Sequence, residues 1–512
     1  MAQSESCIIV GAGHNGLVAA YYLARAGFDV TVLERTERVG GGAVTDELFP
    51  GYRIGTCAYV CHMLQRRIID DMELRRHGLH IYPLDPSGLF IYPNGDSLRF
   101  WHEHERIDEE IALMSPRDRG AWPKWMEFWE DAARLFQRYF LSEPPTFDEV
   151  AQDVAGTKYE AVWERLLNVP IRAMAEEYFE DPRIAAAAIG SGDYGAISEP
   201  GSALAQTYFK MSFLTADEDL GIVRGGMGGV TQAMANSARE AGVAIRTNAT
   251  VNSIIVRDGR ATGVLLETGE EIGADIVISN ADPKSTFLCL VDENALPSGF
   301  PEKVRGLSTR SASMKLHAVL KRLPDFSRYL RPGDPDSLIA MVRIMPTPDY
   351  IEASWRDAMN GTPTRHPIMQ LQIPTVFDPT LAPPGGHVMS IWVTYEPARP
   401  RGGSWSEIRR DVGNALIDEL ERYLPDIREC IEEWDVFTPA DIGERVGMTD
   451  GNIRHLDLSP DQLLANRSLP GCAPYRTPVA GLYMCGAGMH PGGEVSGAPG
   501  HNAAHAVVGD LR

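Results

Sequence analysis

Gly11, Gly13 and Gly16 stand in the spacing G-x-G-x-x-G, and Glu34 closes the run FDVTVLE that follows. Glycines at these intervals permit a tight turn, a close approach of backbone to a pyrophosphate, and close packing of a helix whose N-terminus adds partial positive charge. A carboxylate at Glu34 accepts from a ribose 2′-hydroxyl and repels a 2′-phosphate, which favours FAD or NAD over NADP. His14 and Asn15 fill the variable positions of the turn, and Arg35 follows the acid. After Arg35 a second glycine cluster, Gly40, Gly41 and Gly42 before Ala43, stands where the pyrophosphate of an extended cofactor would lie. A nicotinamide enzyme does not need it, so FAD is the expected cofactor. A third group sits in GLYMCGAGMHPGGEVSGAPGHNAAHAVV, where Gly486, Gly493 and Val495 flank the titratable His490 and Glu494.

These residues need elements to hold them. SCIIV reads as a strand, and Leu17, Ala20, Tyr21, Leu23 and Ala24 repeat at helical spacing up to Gly27, so the first 34 residues form one βαβ unit. Residues 225–284 resume this material: a glycine turn and helix, then a small antiparallel meander through Val251, Ile254, Val256, Val264 and Leu266 with a turn at Asp258 and Gly259. The C-terminal stretch is again strand, glycine-rich turn and helix. The expected fold class is α/β, a discontinuous Rossmann-like FAD-binding domain (1–89, 218–285 and 456–512) with an inserted α+β substrate domain (90–217 and 286–455). Within the insert, Trp122, Trp125, Trp129 and Phe136 fall close to one helical face, as a core stripe or as the lining of a substrate channel.

At 512 residues the chain is too long for one simple core, and 44% apolar with 23% charged residues is ordinary globular composition. A formal charge of -22 opposes a nucleic-acid backbone, so a small-molecule substrate is the expected partner. No apolar run is long enough to span a bilayer, which leaves peripheral membrane contact as the remaining lipid role. The opening MAQSESCIIVGAG lacks the organisation of a secretory signal, and seven scattered cysteines make no disulfide framework, so a cytoplasmic location is expected.

The GAGHNG turn, the GG-x-AVT segment, GGMGGVTQAMA, ADIVISNADPK and the HPGG-x-V-x-G ending together resemble the phytoene-desaturase-related FAD oxidoreductases, the carotenoid and retinoid oxidoreductase family, and within it the branch of the pyridine nucleotide-disulphide oxidoreductase domain-containing proteins. The resemblance runs along most of the chain and is strong in the three cofactor segments. It implies an amine oxidase/phytoene desaturase type of fold, with Gly11, Gly13, His14, Asn15 and Gly16 as the phosphate loop and Glu34 as the ribose acid. Gly40, Gly41 and Ala43 match the second motif, Val251 the backbone that meets the adenine, and Gly486, His490, Gly493 and Val495 the segment along the flavin. Many relatives carry GGRA where this chain has Gly41, Gly42 and Ala43. Without that arginine, affinity rests more on backbone donors and the helix dipole.

A helix starting near Gly497 to Pro499 would aim its positive end at the flavin's pyrimidine side and favour the reduced anion. His490 and Glu494 would then flank the ring as the candidate catalytic groups, although His490 also reads as a structural histidine holding the glycine turn. Gly190, Gly192 and Gly195 form a second G-x-G-x-x-G, but Pro200 and Gly201 interrupt the helix that should follow, and a substrate-domain turn is expected. Asp193 and Tyr194 of that turn are candidates to reach the flavin. Cys57 and Cys61 have the wrong spacing for a redox dithiol or a haem attachment. His102 and His104 share a face if their segment is a strand, but no third ligand is evident and no metal is expected.

The expected reaction is hydride removal from a C–H bond onto FAD, by a desaturase or dehydrogenase. Oxygen, a quinone or another carrier would reoxidise the flavin, since no second nucleotide site is evident. An amine oxidase releasing peroxide, an isomerase or hydratase needing reduced FAD, and a regulatory flavoprotein are the alternatives.

Overall fold

The computed structural model describes residues 5–190, 195–211 and 220–512. The candidates Gly192, Asp193 and Tyr194 lie outside the described residues.

The strand Ser6–Val10 is buried from Cys7 onward, as its unbroken apolar run requires of a strand covered on both faces. It forms the centre of a five-stranded parallel sheet in the order Leu482–Met484, Ile276–Ser279, Ser6–Val10, Asp29–Leu33, Ala244–Arg246. Strands far apart in sequence thus become neighbours. The helix His14–Arg25 packs on this sheet against the helices Gly228–Glu240 and Ala498–Leu511. The last crossing is tight. A Cβ on Gly500 would stand 2.1 Å from the Asn15 carbonyl oxygen, so the C-terminal helix rests directly on the first turn of the N-terminal one. The expected meander is present as Val251–Arg257, Arg260–Leu266 and Glu271–Gly273, turning through Asp258 and Gly259 at positive φ.

The core around the parallel sheet continues past residue 285, because Phe287, Val291, Phe300 and Val304 pack within it. A second sheet of seven strands follows the order Ile431–Phe437, Ala312–Leu320, His387–Glu396, Ile368–Gln372, Met341–Ile344, Gly88–Ile91, Ser97–Phe100. Its pairs are antiparallel except Met341–Ile344 with Gly88–Ile91. Helices between His104 and Lys210 gather a third core, in which Trp125 and Trp129 of the helix Ala121–Phe140 are fully buried. The segment holding His102 and His104 is not a strand: His104 opens the helix His104–Met114.

Candidate active site

Three adjoining cavities run from the parallel sheet to the helical core. The first is a cleft of about 510 Å³ lined by Gly11, Gly13, His14, Asn15, Glu34, Arg35, Gly41, Gly42 and Val251, with Asn280, Met448 and His455 opposite. A junction of about 80 Å³ shares His14, Gly42, Met448 and Ile453 with the cleft. An inner chamber of about 320 Å³ shares Tyr59, Val60, His62 and Phe209 with the junction.

The cleft is shaped for an extended dinucleotide. The helix His14–Arg25 starts from Gly13 with no side-chain cap, so its first-turn N–H groups are left for a ligand's phosphates. Gly11 has φ +98° and Gly41 φ +55°, and a Cβ on Gly13 would meet Asn280 Nδ2 at 2.9 Å, so side chains at the two turns would fill or distort the cradle. His14 Nε2, Asn15 Oδ1 and His455 Nδ1 are buried without a hydrogen-bond partner among the described residues, and all three residues line the cleft. One Glu34 oxygen accepts from the Ala12 N–H at 2.9 Å and the other from the N–H and hydroxyl of Thr36, both at 2.9 Å. The carboxylate is thereby oriented, and the oxygen bonded to Ala12 keeps a further lone pair for a ribose hydroxyl. Arg35 donates to the carbonyls of Glu444 and Arg445 at 3.1 and 2.6 Å, tying the adenosine end to the loop that carries Gly447 and Met448. These donors and shapes fit FAD.

Other expected residues serve by packing. A Cβ on Gly16 would stand 2.2 Å from the Gly11 carbonyl, and Ala43 is buried beneath the second turn. Gly486 is pressed against the Asn280 carbonyl and His455, and Gly493 against Arg454. None of these four lines the cavities, whereas Val495 lines the junction. The first residues of the helix Ala498–Leu511 also line none of the three; this helix end faces the first turn behind the cleft.

His490 does not flank the junction. It is 4% exposed, with Nε2 against the Tyr139 carbonyl at 2.9 Å, and lines none of the three cavities. Burial pushes it down to about 4, with the Arg467 charge adding to the effect, so it is a neutral histidine that holds the end of the helix Ala121–Phe140. Glu494 does reach the junction. Burial raises its pKa, but Arg454 at 2.5 Å and His62 at 3.6 Å outweigh burial and hold it down at about 2. A carboxylate so paired stays ionised and carries charge rather than protons, contrary to the acid–base role its sequence position suggested. Beside it, burial and His455 lower His14 to about 4.

Sequence reading missed the segment Arg445–His455, which closes the far wall of the cleft and was assigned wholly to the substrate domain. Arg467 positions it, donating to the carbonyls of Arg454, Leu456, Asp457, Gln462 and Ala487. Also missed were Lys210, Arg343 and Gln370 in the chamber and Lys315 beside the junction, whose Nζ donates to the carbonyls of Gly55 and Cys57. A signal existed for them. Each is a polar residue inside an apolar run, such as MVRI or SMKLHAVL, and a buried run admits such a residue only with a partner or a purpose. Trp122, Trp125 and Trp129 all pack in the helical core, and Trp122 also lines the chamber. Cys57 and Cys61 are buried and form no disulfide among the described residues.

Comparison with known proteins agrees with this geometry. Residues 16–507 match the family of flavin containing amine oxidoreductases. Pyridine nucleotide-disulfide oxidoreductase domain-containing protein 2 of Rattus norvegicus is 33% identical, over 99% of this chain and 93% of its own. The lycopene-forming phytoene desaturase of Pseudescherichia vulneris is 24% identical, over 96% of each chain. Among solved structures, a triple mutant of putrescine oxidase superposes with a TM-score of 0.62 at 16% identity, covering 99% of this chain and 98% of that one, which shows the shared fold. With its FAD-shaped cleft and a match spanning nearly its whole length, the chain belongs to the flavin containing amine oxidoreductase family and is an FAD-dependent oxidoreductase.

Proposed function

We propose that the enzyme withdraws a hydride from a C–H bond of a small, largely apolar substrate held in the inner chamber, giving a desaturated or oxidised product. The observation that carries this reading is the junction, where an aromatic chamber meets the cofactor cleft across shared walls. FAD, when bound, supplies the two-electron acceptor. In this reading Gly11, Gly13, His14, Asn15, Gly41 and Gly42 surround the pyrophosphate, Glu34 holds the ribose and the backbone at Val251 meets the adenine. Tyr59, Phe209 and Trp392 exclude water and fix the reacting carbon, so orientation contributes more than acid–base chemistry. Glu494, clamped by Arg454, fixes the local charge. The amine-oxidising alternative is disfavoured by Arg343, because its guanidinium in the chamber opposes an ammonium ion. Oxygen, a quinone or another carrier is the proposed oxidant of the reduced enzyme. A reducing, cytoplasmic setting is proposed from seven free thiols; among the described residues no helix is long and apolar enough to cross a membrane.

The test is anaerobic addition of a metabolite panel, following bleaching of the visible flavin band and product mass. A product lighter by two hydrogens is expected. Bleaching by amines alone, with the corresponding imine or aldehyde formed, would overturn the C–H assignment.

A further inference from the structure

Resting on the reading of the inner chamber as the substrate site, one row of side chains specifies the kind of molecule it takes. Across the seven-stranded sheet Phe90 pairs with Arg343, Arg343 with Gln370, Gln370 with Trp392 and Trp392 with Lys315. Residues paired in this way share a face of the sheet. Phe90, Arg343 and Gln370 line the chamber, and Trp392 lines the junction. With strands spaced about 4.8 Å apart, Arg343 stands two steps, about 10 Å, from Trp392.

The chamber end of this row collects positive charge and unused donors. The Arg343 guanidinium lies 5.4 Å from the Phe90 ring, and no ion pair or hydrogen bond joins it to a described residue. Lys210 enters the same chamber, with Nζ donating to the Ala188 carbonyl at 2.8 Å and lying 5.5 Å from the Trp129 ring. Burial, with a smaller contribution from the neighbouring Arg343 charge, brings Lys210 down to about 7. Gln370 is 3% exposed and accepts from the Tyr59 hydroxyl at 2.9 Å, while its Nε2 has no partner among the described residues. The Trp122 indole N–H, also at the chamber, has none either. Among the described lining residues Glu130 is the one acid, and it pairs with Arg134 at 2.7 Å and lies 3.8 Å from His104. The buried Arg343 guanidinium and the unpartnered N–H groups of Gln370 and Trp122 face one space and call for an acceptor that bears negative charge.

We propose that the inner chamber recognises an apolar carboxylic acid, its carboxylate held by the Arg343 guanidinium and the Gln370 amide with Lys210 adding charge, and its body lying along the row toward Trp392. The planar fork of arginine matches a carboxylate, and an alcohol or amine leaves the Arg343 charge uncompensated. The carbon presented to the flavin is then remote from the acid group by about 10 Å, two strand spacings.

Titration calorimetry on the FAD-loaded protein tests this without turnover, using octanoate, decanoate and 4-cyclohexylbutanoate, each beside its matched alcohol and amine. At least one acid is expected to bind about tenfold or more tighter than its alcohol and amine, the range of a charge-assisted hydrogen bond. Arg343→Met should remove that preference while leaving alcohol binding and flavin content unchanged, and Gln370→Leu should weaken it more mildly. Should Arg343→Met fail to fold, the wild-type comparison and Gln370→Leu decide. Acids that bind no better than alcohols, a panel with no binder, or a preference that survives Arg343→Met would each overturn the proposal. The underlying reading is tested separately by the bleaching experiment. Acid binding without bleaching by any compound would remove hydride transfer yet keep acid recognition, and bleaching by neutral compounds alone would do the reverse.

Discussion

At Glu34 the question is what a single carboxylate contributes when both its oxygens already accept from the protein. Glu34→Ala leaves the buried Ala12 N–H unpaired, at about 1–3 kcal/mol for an orphaned buried group, hands the Thr36 N–H to water, and removes the proposed ribose acceptor. Flavin retention after gel filtration should fall by tenfold or more; full retention would remove the ribose assignment. Glu494 makes a different prediction. Its folded pKa of about 2 lies below the ordinary 4.5, so its stabilisation is complete above 4.5 and is lost as pH falls toward 2, at about 3 kcal/mol in total. Urea unfolding of Glu494→Gln should therefore show a shallower loss over that window, while the pH–rate profile near neutrality keeps its shape. A kinetic pKa near neutrality that vanishes in this variant would restore a proton-transfer role. Glu34 was legible as a cleft residue because its spacing from the glycine motif sets it just past the second strand. Glu494 was legible as a titratable group of the glycine-rich C-terminal segment, but not as an ionised one, because Arg454 and His62 meet it only in the folded chain.

Elements are positioned here by contacts too close for side chains. The helix Ala498–Leu511 crosses His14–Arg25 at Gly500, where a methyl group would strike the Asn15 backbone. Gly500→Ala should push the helices apart, cost about 1–3 kcal/mol as an overpacked core does, and loosen flavin binding because Asn15 lines the cleft. Gly509→Ala on the same helix meets nothing within 4 Å and should leave stability equal or raised by about 0.4–1 kcal/mol. Thermal melts and flavin content read both variants; equal effects would show that the crossing is not what positions the cleft. The strands and helices of the nucleotide-binding half followed from periodicity and glycine placement. The seven-stranded sheet did not, since its neighbours Ala312–Leu320 and His387–Glu396 are apolar runs that carry no mark of which strand they pair with.

The whole molecule buries several titratable groups in neutral form. His14, His490 and His501 are each lowered from 6.5 to about 4, mainly by burial. A histidine with a depressed folded pKa is protonated first in the unfolded chain, so stability is full above 6.5 and declines as pH falls toward 4. Relief of the repulsion within a net charge of -22 begins only nearer carboxylate pKa values, so the histidines dominate this window. The melting temperature should fall steadily between pH 6.5 and 4, and His490→Gln, which retains a donor for the Tyr139 carbonyl, should flatten the fall. A flat profile in the wild type would contradict neutral burial.

The sequence by itself determined the cofactor class and the βαβ unit whose glycine turn and Glu34 line the cleft, because phosphate binding uses local backbone geometry that glycine spacing records directly. Only the tertiary structure decided that Arg445–His455 completes the cleft, that His490 is a structural prop, and that Arg343, Gln370 and Trp392 form one row into the junction. Those relations depend on strand register and on which charges meet after burial, and both are set by contacts between residues that lie far apart in the chain.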